Sequence, residues 1–230
     1  MSEEPKQGGY IGQAWLVILL ALLYGGALAG VQTTLGPIIE TNKKNETYSV
    51  IPKLVEGAVK ASKEEIKAGT LEIIVVGENG KKQKVYKAIG KDGKLKGWVL
   101  AASGQGFADK IELLVGLSAD LSTITGMDVL DQKETPGLGN FIDEEDFRDQ
   151  FAGKPTTEPL LVVKTDPVGD NEILALSGAT ISSQSVADIV NRAIENLKGP
   201  ISKLPADEPR EKSTEESTDK PAEEPTEPSQ

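Results

Sequence analysis

The chain has 230 residues, no cysteine and no histidine, and a formal charge of −11. That composition excludes disulfides, thiolate metal sites and iron–sulfur clusters within the chain, and it removes Ser-His-Asp and Cys-His catalysis. The acidic balance also argues against nucleic acid as a partner, because binding a phosphate backbone needs a basic face. Redox or group-transfer chemistry here must come mainly from a cofactor.

Residues 7–39 carry no charged side chain, and Ile11 to Val31 is apolar and long enough to span a bilayer. Tyr10, Trp15 and Tyr24 are placed like interfacial aromatics, and Gly26 and Gly30 have the spacing that packs membrane helices. Ala27-Leu28-Ala29 resembles a signal cleavage site, but the acidic start (Glu3, Glu4) and the length of the run favour a retained membrane helix over residues 10–35, after a short segment 1–9. Charge gives no orientation, since Lys6 lies on one side and Lys43 and Lys44 on the other.

Ile51, Leu54, Val55, Ala58, Val59 and Ile66 recur at helical spacing, which predicts an amphipathic helix over 50–69. Strands are predicted at 71–76, 85–89, 95–101, 111–117 and 124–130, with a hairpin at Lys91-Asp92-Gly93-Lys94. A helix is predicted over 141–151 with Asp143 as its N-cap, then short strands at 160–164 and 173–176. Val186, Ile189, Val190, Ala193, Ile194 and Leu197 mark a last amphipathic helix. From Pro205 the chain holds nine acidic and three basic residues and no large apolar side chain, so 205–230 is predicted to be a disordered acidic tail.

Two clusters carry the chemistry. Ser177-Gly178-Ala179-Thr180-Ile181-Ser182-Ser183 lies where a strand turns into the last helix. A helix start offers unpaired N–H groups and positive potential, which suit a phosphate. Gly178 and Ala179 let backbone approach a ligand, and Thr180 and Ser183 add hydroxyls. The same residue types are ordinary helix caps, so local physics leaves both roles open. Upstream, Lys133-Glu134-Thr135-Pro136-Gly137-Leu138-Gly139 is a Pro/Gly turn with exposed backbone and a carboxylate.

The two clusters occur in a longer series: Gly104-Gln105-Gly106-Phe107, Asp109-Lys110-Ile111, Leu114-Val115-Gly116, Ile124-Thr125-Gly126, then the two motifs. Over residues 10–200 this series resembles a family of FMN-binding membrane proteins. Its members are the G-type subunit of the Rnf ion-translocating electron-transport complex and the C-type subunit of the Na⁺-translocating NADH:quinone reductase. The length of the chain favours the Rnf branch.

The resemblance implies an α+β fold: a single transmembrane helix, one FMN-binding domain (36–204) of antiparallel strands with flanking helices, and the tail. It implies covalent FMN, its phosphate esterified to Thr180, with Ser177 and Gly178 in the attachment motif and Glu134, Thr135, Gly137, Leu138 and Gly139 near the flavin. It implies an extracytoplasmic flavin domain in the cell (inner) membrane, a flavin transferase for maturation, and other membrane and redox subunits as partners. The implied function is electron transfer within a ferredoxin- and NAD-linked translocating complex. The alternatives are the equivalent subunit of the Na⁺-translocating NADH:quinone reductase, a stand-alone membrane-anchored flavoprotein, and a non-catalytic scaffold that has lost its flavin. One departure is Leu174, where many relatives carry an acidic residue three positions before the motif serine.

Overall fold

The charge-free run is the first half of a single long helix. In the computed structural model, which describes residues 10–56, 70–76, 80 and 82–202, helix α1 runs Tyr10–Leu54 for 45 residues. Its apolar side chains from Trp15 to Ile39 are exposed, and its mean hydropathy reaches 2.2 over an 18-residue window. By length and composition it is able to cross a membrane. The expected break between residues 35 and 50 is absent. Helix propagation adds one hydrogen bond per residue once a nucleus exists, so a polar stretch between two well-held ends stays helical. Thr33, Thr34, Thr41 and Thr47 donate their hydroxyls to carbonyls four residues back, so these polar side chains find partners within the helix itself. The rest of the predicted 50–69 helix, segment 1–9 and the 205–230 tail lie outside the described residues.

Five strands form an antiparallel meander in chain order: β1 (Thr70–Val76), β2 (Lys82–Ile89), β3 (Leu95–Gln105), β4 (Lys110–Ser118) and β5 (Ile124–Asp131). The hairpin between β2 and β3 closes through Gly93 at φ 74° and the Gly90 N–H to Lys94 carbonyl bond of 2.9 Å. Side chains alternate between the two faces. Tyr86, Val99 and Leu114 face one side, and Val85, Leu100 and Val115 face the other.

The C-terminal end of α1 packs on the first face. Val50, Ile51, Leu54 and Val55 join Tyr86, Ala88, Val99 and Leu114 in one buried cluster, and Tyr48 meets Tyr86 edge-on at 6.0 Å. Glycines on this face leave room for the helix. A Cβ at Gly116 would stand 2.9 Å from the Leu54 carbonyl, one at Gly126 3.2 Å from the Leu54 side chain, and one at Gly97 2.8 Å from Val55. Gly116 and Gly126 are direct cross-strand partners. Lys43, more than one helical turn before this contact, bridges Glu112 at 3.2 Å and Asp131 at 2.9 Å, themselves cross-strand partners.

The other face carries the larger core, closed by the last helix, α3 (Thr180–Ser202), through Val186, Ile189, Val190, Ala193 and Leu197. Trp98 is buried here and donates its indole N–H to the Ala119 carbonyl. The predicted 141–151 helix is broken into a 3₁₀ turn (Gly139–Asp143), a short helix α2 (Glu145–Arg148) and a second 3₁₀ turn (Asp149–Phe151). Glu144, not Asp143, precedes α2, and it makes no side-chain cap. Ile142, Phe147 and Phe151 must all reach the core, and a five-residue step does not repeat on one α-helical face, so the chain changes pitch between them. Phe147 and Phe151 then meet edge-on at 5.6 Å.

Two three-residue strands, β6 (Leu161–Val163) and β7 (Glu172–Leu174), pair in parallel rather than antiparallel and lie apart from the main sheet. The Glu172 carboxylate accepts the Val168 and Gly169 N–H groups in their connection. Asn191 of α3 clamps both backbone groups of Leu160 at 2.8 and 3.0 Å.

Truncating Ile51 to Ala should remove the centre of the α1–sheet contact and cost about 2–5 kcal/mol, read as a lower thermal midpoint and new protease cleavage at the helix end. The Lys43 bridge contributes well under about 1 kcal/mol because both partners are partly exposed. Lys110, then Lys43, hydrogen-bond Glu112 and hold its carboxyl below the usual value of 4.5. That contribution is complete above this value and is lost as pH falls through the folded one. The stability difference between the parent chain and Lys43→Ala should therefore shrink between pH 6 and pH 3 in denaturant titrations.

Candidate functional site

The two motifs meet, and Glu134 joins them. Its side chain is buried, with Oε1 accepting the Ala108 N–H at 3.0 Å and Oε2 accepting the Ser182 hydroxyl at 2.5 Å. The carboxylate thus ties the turn after β3 to the turn after β5 and to the first turn of α3. Glycines give it room. A Cβ at Gly106 would collide with Oε1, and one at Gly139 would stand 3.0 Å from Oε2 and 2.6 Å from the Ser182 hydroxyl.

The 133–139 turn is held by its own backbone. Thr135 O accepts from Leu138 N–H at 3.1 Å, and Asn140 Oδ1 accepts from Gly137 N–H at 2.6 Å. Gly137 takes φ 77°, a conformation that strains other residues. On the opposite side, Gly178 takes φ 76°, and a Cβ there would press to 2.9 Å on Leu138. The chain then enters α3 at Thr180, with Ala179 N–H bonded to Leu176 O at 3.0 Å.

Between these turns lies a cavity of about 320 Å³ lined by Phe107, Thr135, Leu138, Gly139 and the run 178–182. Phe107, Leu138 and Ile181 are exposed at 61%, 43% and 59%, so the mouth is an apolar rim. The first N–H groups of α3 have no partner within the helix, and no acidic residue stands in its first turn. Thr180 is half-buried at this helix start, and among the described residues nothing hydrogen-bonds its hydroxyl.

Of the residues singled out from sequence, Thr135, Leu138, Gly139, Gly178, Ala179 and Thr180 line the cavity. Ser177, Glu134, Gly137 and Ser183 do not. Ser183 is fully buried, accepts the Leu176 N–H at 3.0 Å and donates to the Ala179 carbonyl at 3.1 Å, so it locks the turn from behind. Glu134 acts on the cavity wall through Ser182. Leu174 sits in β7 with its N–H held by Gln150 Oε1 at 2.7 Å. Ile181 and Ser182 line the cavity but lay outside the predicted site. Two turns converging on the head of one helix bring Thr180, Ile181 and Ser182 to the cavity, while Ser183 in the same turn is buried behind it.

Comparison with known proteins places this geometry. The FMN-binding domain family matches residues 106–195, which contain both turns. The chain is 34% identical over 168 residues to the G-type subunit of the Na⁺-translocating ferredoxin:NAD⁺ oxidoreductase complex of Acetobacterium woodii, covering 70% of this chain and 78% of that one. The chain belongs to this family of G-type subunits. It is also 38% identical over 110 residues to the G-type subunit of the ion-translocating oxidoreductase complex of Methanosarcina acetivorans, and it spans 56% of the length of that relative. The fold is shared with Shewanella oneidensis NqrC (TM-score 0.57, 17% identity, covering 70% of this chain and 97% of that one). It is shared too with the C-type subunit of the Na⁺-translocating NADH-quinone reductase from Parabacteroides distasonis (TM-score 0.59, 23% identity, covering 73% and 97%). The anticipated architecture of an apolar helix followed by an antiparallel α+β domain is present in this chain, whose fold resembles that of these C-type subunits.

Replacing Glu134 by Ala in this family member should leave the Ala108 N–H and the buried Ser182 hydroxyl without partners. The expected loss is about 2–4 kcal/mol, measured as a fall of several degrees in the thermal midpoint. Glu134→Gln, which keeps the shape and one acceptor, should lose less.

Proposed function

We propose that this chain is the flavin-carrying, electron-transferring subunit of a membrane-bound, Rnf-type ion-translocating oxidoreductase complex. FMN is joined through its phosphate to the Thr180 hydroxyl. The observation that carries the reading is the position of Thr180: the first residue of a 23-residue helix, at a glycine-lined cavity, in a chain that matches the FMN-binding domain family.

The residues fit the group. The helix start presents unpaired N–H groups and the positive end of the helix dipole to a phosphate. Gly139 and Gly178 let the two turns close around the cavity, since a Cβ would clash with Ser182 and Glu134 at the first and with Leu138 at the second. Phe107, Leu138 and Ile181 offer apolar surface to an aromatic ring at the mouth. When bound, FMN supplies the electron-accepting and electron-donating chemistry. The chain's own residues bind and orient. No histidine or cysteine is needed for such a relay, and the chain has neither.

On this reading α1 anchors the chain in the cell membrane, the domain that begins after the apolar run faces the extracytoplasmic side, and a flavin transferase attaches the FMN. The electron donor and acceptor are neighbouring subunits of the complex. Relatives named as members of such complexes support that assignment. The 34% match over 168 residues lies with a G-type subunit, against 31% over 127 residues for the C-type subunit of Yersinia pestis. A tether suits such a carrier, because it holds the cofactor at high effective concentration where little free FMN exists to refill the site.

Peptide mass spectrometry on chain purified from its native membrane is the test. The expected result is the mass of FMN less one water on the Thr180 peptide, with no flavin on Thr180→Ala chain of normal thermal stability. Unmodified Thr180 in native material would overturn the covalent assignment. Gly139→Ala should reduce flavin loading at least several-fold, because its Cβ would enter the space beside Ser182, and absorbance at the flavin band per chain measures it.

A further inference from the structure

A second groove, of about 280 Å³, lies between the flank of α3 and the ends of β2 and β3, lined by Lys82, Gln83, Ser103, Arg192 and Asn196. It is cationic on a strongly acidic protein. Arg192 is placed for it: Nε donates to the Asp188 carbonyl at 3.0 Å, and the terminal nitrogen lies over Gly104, where a Cβ would stand 2.9 Å away. The guanidinium is thus held between its own helix and the end of β3. Gln83 is fixed as well, donating its amide to the Ala101 carbonyl. Among the described residues, neither Lys82 nor Arg192 has a carboxylate within ion-pair distance. Ser103 and Asn196 add neutral hydrogen-bonding groups. Two unpaired cations with amide and hydroxyl groups between them make a site for carboxylates.

The chain supplies carboxylates of its own close by. After Ser202, where α3 ends, the next acidic residues are Asp207, Glu208 and Glu211, the first of nine in the tail. Asn196 lies about 9 Å and Arg192 about 15 Å back along the helix from its end, by helical rise. Five to nine extended residues reach about 17–30 Å, so Asp207 to Glu211 are able to return to the groove. We propose that the acidic C-terminal tail folds back along α3 and places its first carboxylates on Lys82 and Arg192. The tail then occupies its own cationic groove and straps the C-terminal half of α3 to the β2–β3 side of the sheet. The groove begins about 14 Å along α3 from Thr180 by helical rise, so the strap leaves the flavin cavity open. The tie is exposed and ionic, which makes it reversible and salt-sensitive.

Zero-length carbodiimide cross-linking of the full chain in detergent at low salt tests this, since it joins an ammonium and a carboxylate only in contact. The expected product is an amide between Lys82 and Asp207, Glu208 or Glu211, formed within one copy in an isotope-mixed sample. Its yield should fall several-fold in Arg192→Gln and vanish near 0.5 M salt. A chain ending at Leu204 should show Lys82 acetylated several-fold faster than the full chain. Links from the tail only to other lysines, or only between copies, would overturn the proposal. So would a yield indifferent to Arg192→Gln and salt, or an unchanged Lys82 acetylation rate.

Discussion

The site depends on one buried carboxylate. Glu134 holds two donors that belong to different parts of the chain, a backbone N–H after β3 and the hydroxyl of Ser182 in the first turn of α3. A buried acidic group is tolerated only when its oxygens are satisfied, so the three segments are fixed relative to one another or not formed at all. Gly106 and Gly139 are the complementary half of this arrangement, since only an absent side chain lets both turns close on the carboxylate. The cavity is the space left where the turns, so held, fail to meet.

Sheet and helix follow a second, simpler constraint. Buried residues run without a break through the middles of β2, β3 and β4, and because successive side chains point to opposite faces both faces of the sheet must be covered. One face is closed by α3 and the other by the last turn and a half of α1. The helix end lies close to the strands because Gly97, Gly116 and Gly126 present backbone there instead of side chains. The C-terminal end of α1 and the sheet therefore share one core cluster.

Much of this was legible in the sequence. Five strands and the last helix follow from short apolar runs, the hairpin signal at 91–94 and helical spacing, because those patterns report burial directly. Thr180 and the two turns follow from residue type and order. The bond from Glu134 to Ser182 was not legible, because its partners stand 48 positions apart and neither residue type announces the other. Ser183 misled for a related reason: a hydroxyl at a helix start reads the same whether it faces a ligand or, as here, the backbone of Leu176. The continuity of α1 through residues 36–49 was hidden because polar residues and Pro37 look locally like a break, while helix cooperativity acts over the whole length. The parallel pairing of β6 and β7 had no local signal at all.

That continuity has a geometric consequence. Between the end of the apolar run at Ile39 and the buried Ile51, α1 carries no loop that absorbs rotation. Each residue of an α-helix adds about 1.5 Å of height and about 100° of azimuth. The segment 40–50 thus behaves as a keyed shaft, and its residue count sets the compass bearing of the cavity mouth. Inserting one residue there would turn the mouth through roughly a quarter of a circle while raising it hardly at all, whereas inserting seven would restore the bearing about 10 Å higher.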